Sequence, residues 1–273
     1  MKNLTWTFLV VLLGTAPARA HDKWIDALPF RADSPAPVKV YLVTGEALRD
    51  EELRPLRRSA QITRLALHHK AGKQDLQPLL KEDVQPLLTV PKKQLPLGTS
   101  VLQLDTASVD IELPAAKFES YLFEERLFDV LAARARFGQE ESPGKERYSR
   151  CLKALLQVGK KPDASVTQPI GQELELVPLQ NPYGVQIPGK LTMQVLLRGQ
   201  PLAGHALGLA VRRHSAISSQ TLRTDQSGKA TFTISQGGDF LFTLVHMEEA
   251  SAQMKSAADW RSYWGSLSFS LAD

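Results

Sequence analysis

Short segments in which apolar and polar residues alternate recur along this chain, and they restrict it to a fold dominated by β-strands. In VKVYLVTG, residues 38–45, apolar side chains stand at positions 38, 40 and 42, and the segment ends at a glycine. Successive side chains of a strand point to opposite faces, so this alternation predicts a strand with one buried face. The segments QITRLALHHK, TSVLQLD and SVDIEL predict further strands, separated by turn-rich or proline-bearing stretches.

Two segments depart from the alternation and predict α-helices near residues 115–136 and 143–158. In the first, apolar residues recur at three- and four-residue steps after Pro114. In the second, Ser142 is a suitable N-cap and Pro143 a suitable first helical residue. Cys151, the single cysteine of the chain, falls on the apolar face of this second segment. We interpret it as a small buried hydrophobe, with a reactive thiol as the alternative.

The segment KKPDASVTQPIG, residues 160–171, is rich in turn-forming residues and lacks periodicity, which predicts a domain boundary. The N-terminal domain would span residues 21–162 and carry both helices. The C-terminal domain would span residues 163–273, where short strands at about ten-residue spacing are typical of a β-sandwich. We therefore expect a mainly β fold of two immunoglobulin-like β-sandwich domains, the first with two inserted α-helices.

The first twenty residues have the pattern of a secretory signal peptide. Lys2 precedes the apolar run LTWTFLVVLLG, and small residues stand at positions 18 and 20. The run is too short to span a membrane. We expect cleavage after Ala20 and an exported, periplasmic protein without a membrane span. The formal net charge is +4, and the charged residues are scattered along the sequence. They do not form the single basic stripe that nucleic-acid binding requires, so we expect no nucleic-acid partner.

Several segments together resemble a bacterial exported family that is catalogued as a domain of unknown function and labelled as associated with nickel or cobalt uptake. They are HDKW, LGTSVLQLDTASVDIELPAAKFESYLFEERL, RYSRCLKALLQVG, RGQPLAGHALGL with TDQSG, and DWRSYWGSLSFSL. The resemblance implies a bound metal ion and, as a partner, a metal transporter or outer-membrane receptor. The second half also resembles the immunoglobulin-like modules of the carboxypeptidase regulatory type, which implies a fold rather than a function.

Cleavage after Ala20 would leave His21 at the amino terminus, where one residue offers both an α-amine and an imidazole to a metal ion. The α-amine loses its proton at modest cost, because its pKa lies near about 8. A second imidazole would complete a set of three nitrogens, which suits copper(II) or nickel(II). We expect the carboxylate of Asp22 to accept a hydrogen bond from a ligating imidazole and so orient its ring, with an exposed charge as the alternative.

His205 and His246 are the candidates for the second imidazole. The alternation places each of them on the core-facing side of a strand end, where a histidine that only packs is the alternative. His246 is preferred, because VHM matches the pattern of the family that the chain resembles. His68 and His69 are adjacent on one predicted strand and point to opposite faces, and His214 lies in a predicted loop.

The sequence contains no G-x-S-x-G, phosphate-loop or H-E-x-x-H motif, so no catalytic residue is predicted. Three functions remain. The first is a periplasmic protein that binds nickel, cobalt or copper for uptake or delivery. The second is a non-enzymatic β-sandwich interaction module of the envelope. The third is a copper-dependent oxidative enzyme acting on a polymer, for which Trp260, Tyr263 and Trp264 would have to form an exposed aromatic face.

Overall fold

The computed structural model describes residues 22–53 and 61–272, and 53% of these residues lie in strands. The strands of the first half are β1 (Asp22–Leu28), β2 (Arg31–Ala32), β3 (Val38–Glu46), β4 (Arg49–Leu53), β5 (Ile62–His69), β6 (Gly72–Asp75), β7 (Leu88–Val90), β8 (Gly98–Thr106), β9 (Val109–Leu113) and β10 (Gly144–Val158). Those of the second half are β11 (Leu174–Pro178), β12 (Gly189–Leu197), β13 (Gln200–Pro201), β14 (Ala206–Arg213), β15 (Ala216–Arg223), β16 (Lys229–Ile234), β17 (Gly238–Glu249) and β18 (Trp260–Leu271). The predicted mainly β fold is confirmed.

Within the described residues the strands form three sheets. The large sheet has the order β15-β14-β17-β18-β10-β8-β5-β6, and β2 and β9 also pair with β10. The N-terminal sheet consists of β1, β3, β4 and β7, and the small sheet consists of β11, β12, β13 and β16. The large sheet lies between the other two, because its strands contribute alternate side chains to separate apolar cores on its two faces.

Strand β10 alternates between these two cores. Leu152 and Leu156 pack with the N-terminal sheet, whereas Cys151 and Leu155 pack with the small sheet. Here the sequence-based prediction of a helix over residues 143–158 was wrong. A strand buried on both faces is a nearly continuous apolar run, which cannot be distinguished from a buried helix by periodicity alone. The interpretation of Cys151 as a buried residue is confirmed, since it is 5% exposed.

The predicted helix at residues 115–136 is present as two short helices, α1 (Ala115–Glu124) and α2 (Phe128–Arg136). The break falls at Arg126, whose φ of 58° is incompatible with a continuous right-handed helix. Phe118, Tyr121 and Leu122 of α1 are buried against β17 and β18. In residues 22–53 and 61–272, no helix is long and apolar enough to cross a membrane.

The predicted boundary at residues 160–171 does not separate the sheets. β10 precedes it and β18 follows it, yet the two strands are parallel neighbours in the large sheet, from Glu146 opposite Trp260 to Ala154 opposite Ser268. A division between residues 162 and 163 therefore cuts through one continuous sheet. Trp24, in β1, is 2% exposed and anchors the N-terminal sheet to the large sheet.

Candidate functional site

The structure brings two of the predicted site residues into direct contact. His246 lies in β17, and His205 lies just before β14, the antiparallel neighbour of β17. Nδ1 of His246 is 2.9 Å from Nε2 of His205, and the ring centroids are 4.8 Å apart. Both rings are on the face of the large sheet that packs against the small sheet, because Leu207 and Leu244 on the same side belong to that core.

The hydrogen bonds determine which nitrogen carries a proton when both rings are neutral. Nδ1 of His205 is 2.8 Å from the carbonyl oxygen of Ala203, so this nitrogen must donate. Nε2 of His205 is then an acceptor, and the facing Nδ1 of His246 must be the donor. This assignment leaves Nε2 of His246 with a lone pair and no proton.

That lone pair is buried. Among residues 22–53 and 61–272, no group donates a hydrogen bond to Nε2 of His246, and the whole residue is 9% exposed. Burial, assisted by the neighbouring His205, lowers the pKa of His246 to about 4. The ring is therefore neutral at neutral pH, which is the state that a metal ion requires of an imidazole ligand.

A carboxylate faces the same nitrogen. Oε2 of Glu248 lies 3.6 Å from Nε2 of His246, too far for a hydrogen bond. Nη2 of Arg198 donates to both oxygens of Glu248, at 2.9 and 2.6 Å, and the hydroxyl of Tyr263 donates to Oε1 at 3.4 Å. The site therefore combines an imidazole lone pair and a carboxylate, with a guanidinium group that neutralises the carboxylate.

These donors suit a transition metal ion in chemical type, because one is an imidazole nitrogen without a proton and the other is a carboxylate oxygen. They do not form a full coordination sphere. Within residues 22–53 and 61–272, no group of three or more His, Cys, Asp or Glu side chains is arranged to hold a metal ion. Water or further protein groups would have to supply the remaining ligands.

His21 lies outside the described residues, but its neighbour Asp22 is placed away from the histidine pair. Asp22 accepts a hydrogen bond from the backbone N–H of Ala47 at 3.3 Å. It lines a cavity of about 410 Å³ with Glu125 and Thr243, among other residues. Thr243 alternates with His246 across β17, so the large sheet lies between Asp22 and the histidine pair. The structure does not bring these residues together.

The remaining histidines lie elsewhere. Nε2 of His68 is 2.7 Å from Oε1 of the buried Gln103. His69 follows it in β5, and its Nδ1 accepts from the backbone N–H of Ala71 at 3.3 Å. His214 has a φ of 53° in the turn between β14 and β15.

The aromatic residues of DWRSYWG do not form an exposed face. Trp260, Tyr263 and Trp264 lie in β18 and are each at most 7% exposed. Trp260 and Trp264 pack with α1, and Trp264 stacks on Tyr121 at 5.7 Å. These residues belong to the apolar cores.

Sequence reasoning missed Glu248 and Arg198. A signal for Glu248 was present, since His246 and Glu248 are two positions apart in a strand and therefore point to the same face. Arg198 carried no such signal. It belongs to the turn between β12 and β13, and only the packing of the small sheet against the large one brings it to Glu248.

Fold and site define a mainly β protein with a buried, proton-free imidazole nitrogen facing a carboxylate. Residues 18–248 match the model of the family described as Domain of unknown function (DUF4198). The chain belongs to this family, and that part of the resemblance is confirmed. The comparison with curated proteins gave no match.

Proposed function

We propose that this chain is an exported, periplasmic protein that binds a transition metal ion and serves its uptake or delivery. The observation that carries the proposal is the buried lone pair on Nε2 of His246, which faces Glu248 and accepts no hydrogen bond from any residue that the structure describes. A buried acceptor without a partner costs free energy, and a ligand role would offset this cost. A bound cation would satisfy it.

In this proposal His246 and Glu248 are direct ligands. His205 holds the ring of His246 through Nδ1 and fixes its tautomer, as hydrogen-bond acceptors behind ligating histidines commonly do. Direct ligation by His205 as well, as the sequence predicted, would require this hydrogen bond to break. Cleavage after Ala20 would expose His21, the residue before Asp22 in the sequence, which would then offer an α-amine and an imidazole to a metal ion.

The donor chemistry narrows the choice of ion. Imidazole nitrogen with carboxylate oxygen favours copper(II) and nickel(II) among divalent first-row ions, and copper(II) by intrinsic affinity. The family resemblance implies nickel or cobalt, with a metal transporter or outer-membrane receptor as the recipient. We propose nickel(II) or cobalt(II) as the cargo and copper(II) as the tightest-binding probe.

The test is a calorimetric titration of copper(II) and nickel(II) into protein that begins at His21. His246→Ala should weaken binding at the histidine pair by about tenfold or more, as expected for loss of one ligand. His214→Ala, a histidine in a turn remote from the site, is the matched control and should leave binding unchanged. Absence of binding in the unchanged protein, or equal binding in His246→Ala, would refute the proposal.

A variant with one extra residue before His21 tests the amino terminus separately. If the α-amine is a ligand, the extension should abolish one binding event and leave the event at His246 intact. Equal binding by both forms would exclude the α-amine as a ligand.

An envelope interaction module of the immunoglobulin-like β-sandwich type is the second candidate. It is favoured by an exposed pair of aromatic rings at the junction of α1 and α2. Phe123 and Phe128 are 66% and 42% exposed and contact each other edge to face at 5.9 Å. Exposed aromatic clusters of this kind mark interaction surfaces. Replacing both by Ser should then abolish association with envelope fractions without changing metal binding.

A further inference from the structure

We infer that Arg198 gates the proposed metal site, because its guanidinium group occupies the carboxylate of Glu248 that the ion would need. Metal ion and Arg198 then compete for one ligand. This inference rests on the proposed function and adds a residue that controls access to the same site.

The position of Arg198 is set by its hairpin turn. Arg198 and Gly199 connect β12 to β13, and both have positive φ, 51° and 77°, as tight two-residue hairpin turns require. The backbone N–H of Arg198 donates to the carbonyl oxygen of Glu173 at 2.6 Å, which attaches the turn to the start of β11. The guanidinium group therefore reaches Glu248 from a fixed backbone.

The ion in this proposal and Arg198 would both bind Oε2 of Glu248. Oε2 of Glu248, which lies 3.6 Å from Nε2 of His246, also accepts from Nη2 of Arg198 at 2.6 Å. An ion about 2.0–2.2 Å from both a nitrogen and an oxygen holds these atoms about 3.0 Å apart at the right angle of a tetragonal site and about 3.4 Å apart at a tetrahedral angle. The observed separation of 3.6 Å is close to the larger of these values, and a small movement of the Glu248 side chain reaches the smaller one. An ion there would meet the guanidinium group at short range, so the arginine must leave.

A metal ion can displace Arg198 from Glu248, because breaking this ion pair costs little free energy. Its side chain is 52% exposed and has water as an alternative partner, so its ion pair with Glu248 contributes little free energy. The guanidinium also lies over the ring of Tyr263, 5.8 Å from its centroid, and this contact is available without the carboxylate. Arg198 thus neutralises Glu248 until an ion replaces it.

The test compares nickel(II) and copper(II) affinities of the full chain, Arg198→Gln, Glu248→Gln and the double variant. Arg198→Gln should tighten binding about twofold to fivefold, because the competitor is gone and the ion pair that it formed was an exposed one. Glu248→Gln should weaken binding by about tenfold or more, and adding Arg198→Gln to it should change nothing further. Arg147→Gln is the matched control, since Arg147 forms a similar two-bond ion pair with Asp110 on another surface.

The outcomes separate this inference from the proposed function. If Arg198→Gln binds as the unchanged protein does, or more weakly, while His246→Ala still loses binding, the gate is refuted and the metal site stands. A gain in the double variant equal to that of Arg198→Gln alone would also refute competition for Glu248. Absence of binding in the unchanged protein and in Arg198→Gln alike overturns both.

Discussion

A buried ion pair connects the centre of the large sheet to the small sheet, and removal of either partner should destabilise the whole chain. Nζ of Lys153 in β10 is 2.7 Å from Oε1 of Glu175 in β11, and both side chains are at most 3% exposed. Glu175 also accepts backbone N–H groups from Ile170, Gly171 and Gln172. The pair joins residues on the two sides of the predicted domain boundary.

Two estimates give the loss in the free energy of unfolding that we expect for Glu175→Gln. Burial already lowers the pKa of Lys153 from 10.5. With Glu175→Gln the buried ammonium loses its counter-charge, and releasing its proton at pH 7 instead costs at most about 5 kcal/mol. Breaking a buried pair by removing one partner generally costs about 3–5 kcal/mol. We expect Glu175→Gln to lower the free energy of unfolding by about 3–5 kcal/mol at pH 7.

The stability of Glu175→Gln should also depend on pH. In Glu175→Gln the native state holds Lys153 neutral, whereas the unfolded state keeps the proton up to about pH 10. The unfolded state then binds more protons, so the stability of this variant should rise as the pH increases from 7 to 10. Urea denaturation followed by tryptophan fluorescence and circular dichroism at pH 7 and pH 9 measures both quantities.

Two controls make the result decisive. Asp110→Asn removes the exposed ion pair with Arg147 and should cost less than about 1 kcal/mol. The double variant Lys153→Met with Glu175→Gln should lose less than the sum of the single losses, since no unpaired charge remains. A loss below about 1 kcal/mol for Glu175→Gln, or a stability that does not rise with pH, would refute the reasoning.

Two further predictions concern the half-buried Asp26 and the buried Cys151. Burial, together with Asp239 and Glu51, raises the pKa of Asp26 to about 6, so ionisation of Asp26 destabilises the native state as the pH rises from 4 to 6. Asp26→Asn should therefore raise the free energy of unfolding by about 1–2 kcal/mol at pH 7 and not at pH 4, and equal thermal stabilities at pH 7 would contradict this. Burial raises the pKa of Cys151 to about 12. At pH 8 an aromatic disulfide reagent should label the native thiol at least about a hundredfold more slowly than the unfolded one, and fast native labelling would restore the reactive-thiol alternative.

The sequence predicted those elements whose pattern depends on neighbouring residues alone. The alternation in residues 38–45 corresponds to β3, Val38–Glu46, and QITRLALHHK contains β5, Ile62–His69. Over residues 38–42 the side chains at positions 38, 40 and 42 are buried while those at 39 and 41 are more exposed, and this period of two follows from the pleat of a strand. The same rule placed His205 and His246 on one side of their strands, and the structure has them there.

Tertiary structure alone decided three features, and in each case the reason is a contact between residues distant in the chain. Residues 144–158 form a strand because β8 and β18 pair with them on both edges. The two halves of the chain share one sheet because β18 returns to lie beside β10. Arg198 meets Glu248, fifty residues later, because the small sheet packs on the large one. Local periodicity records which side of a segment is buried, but it carries no information about the partner that buries it.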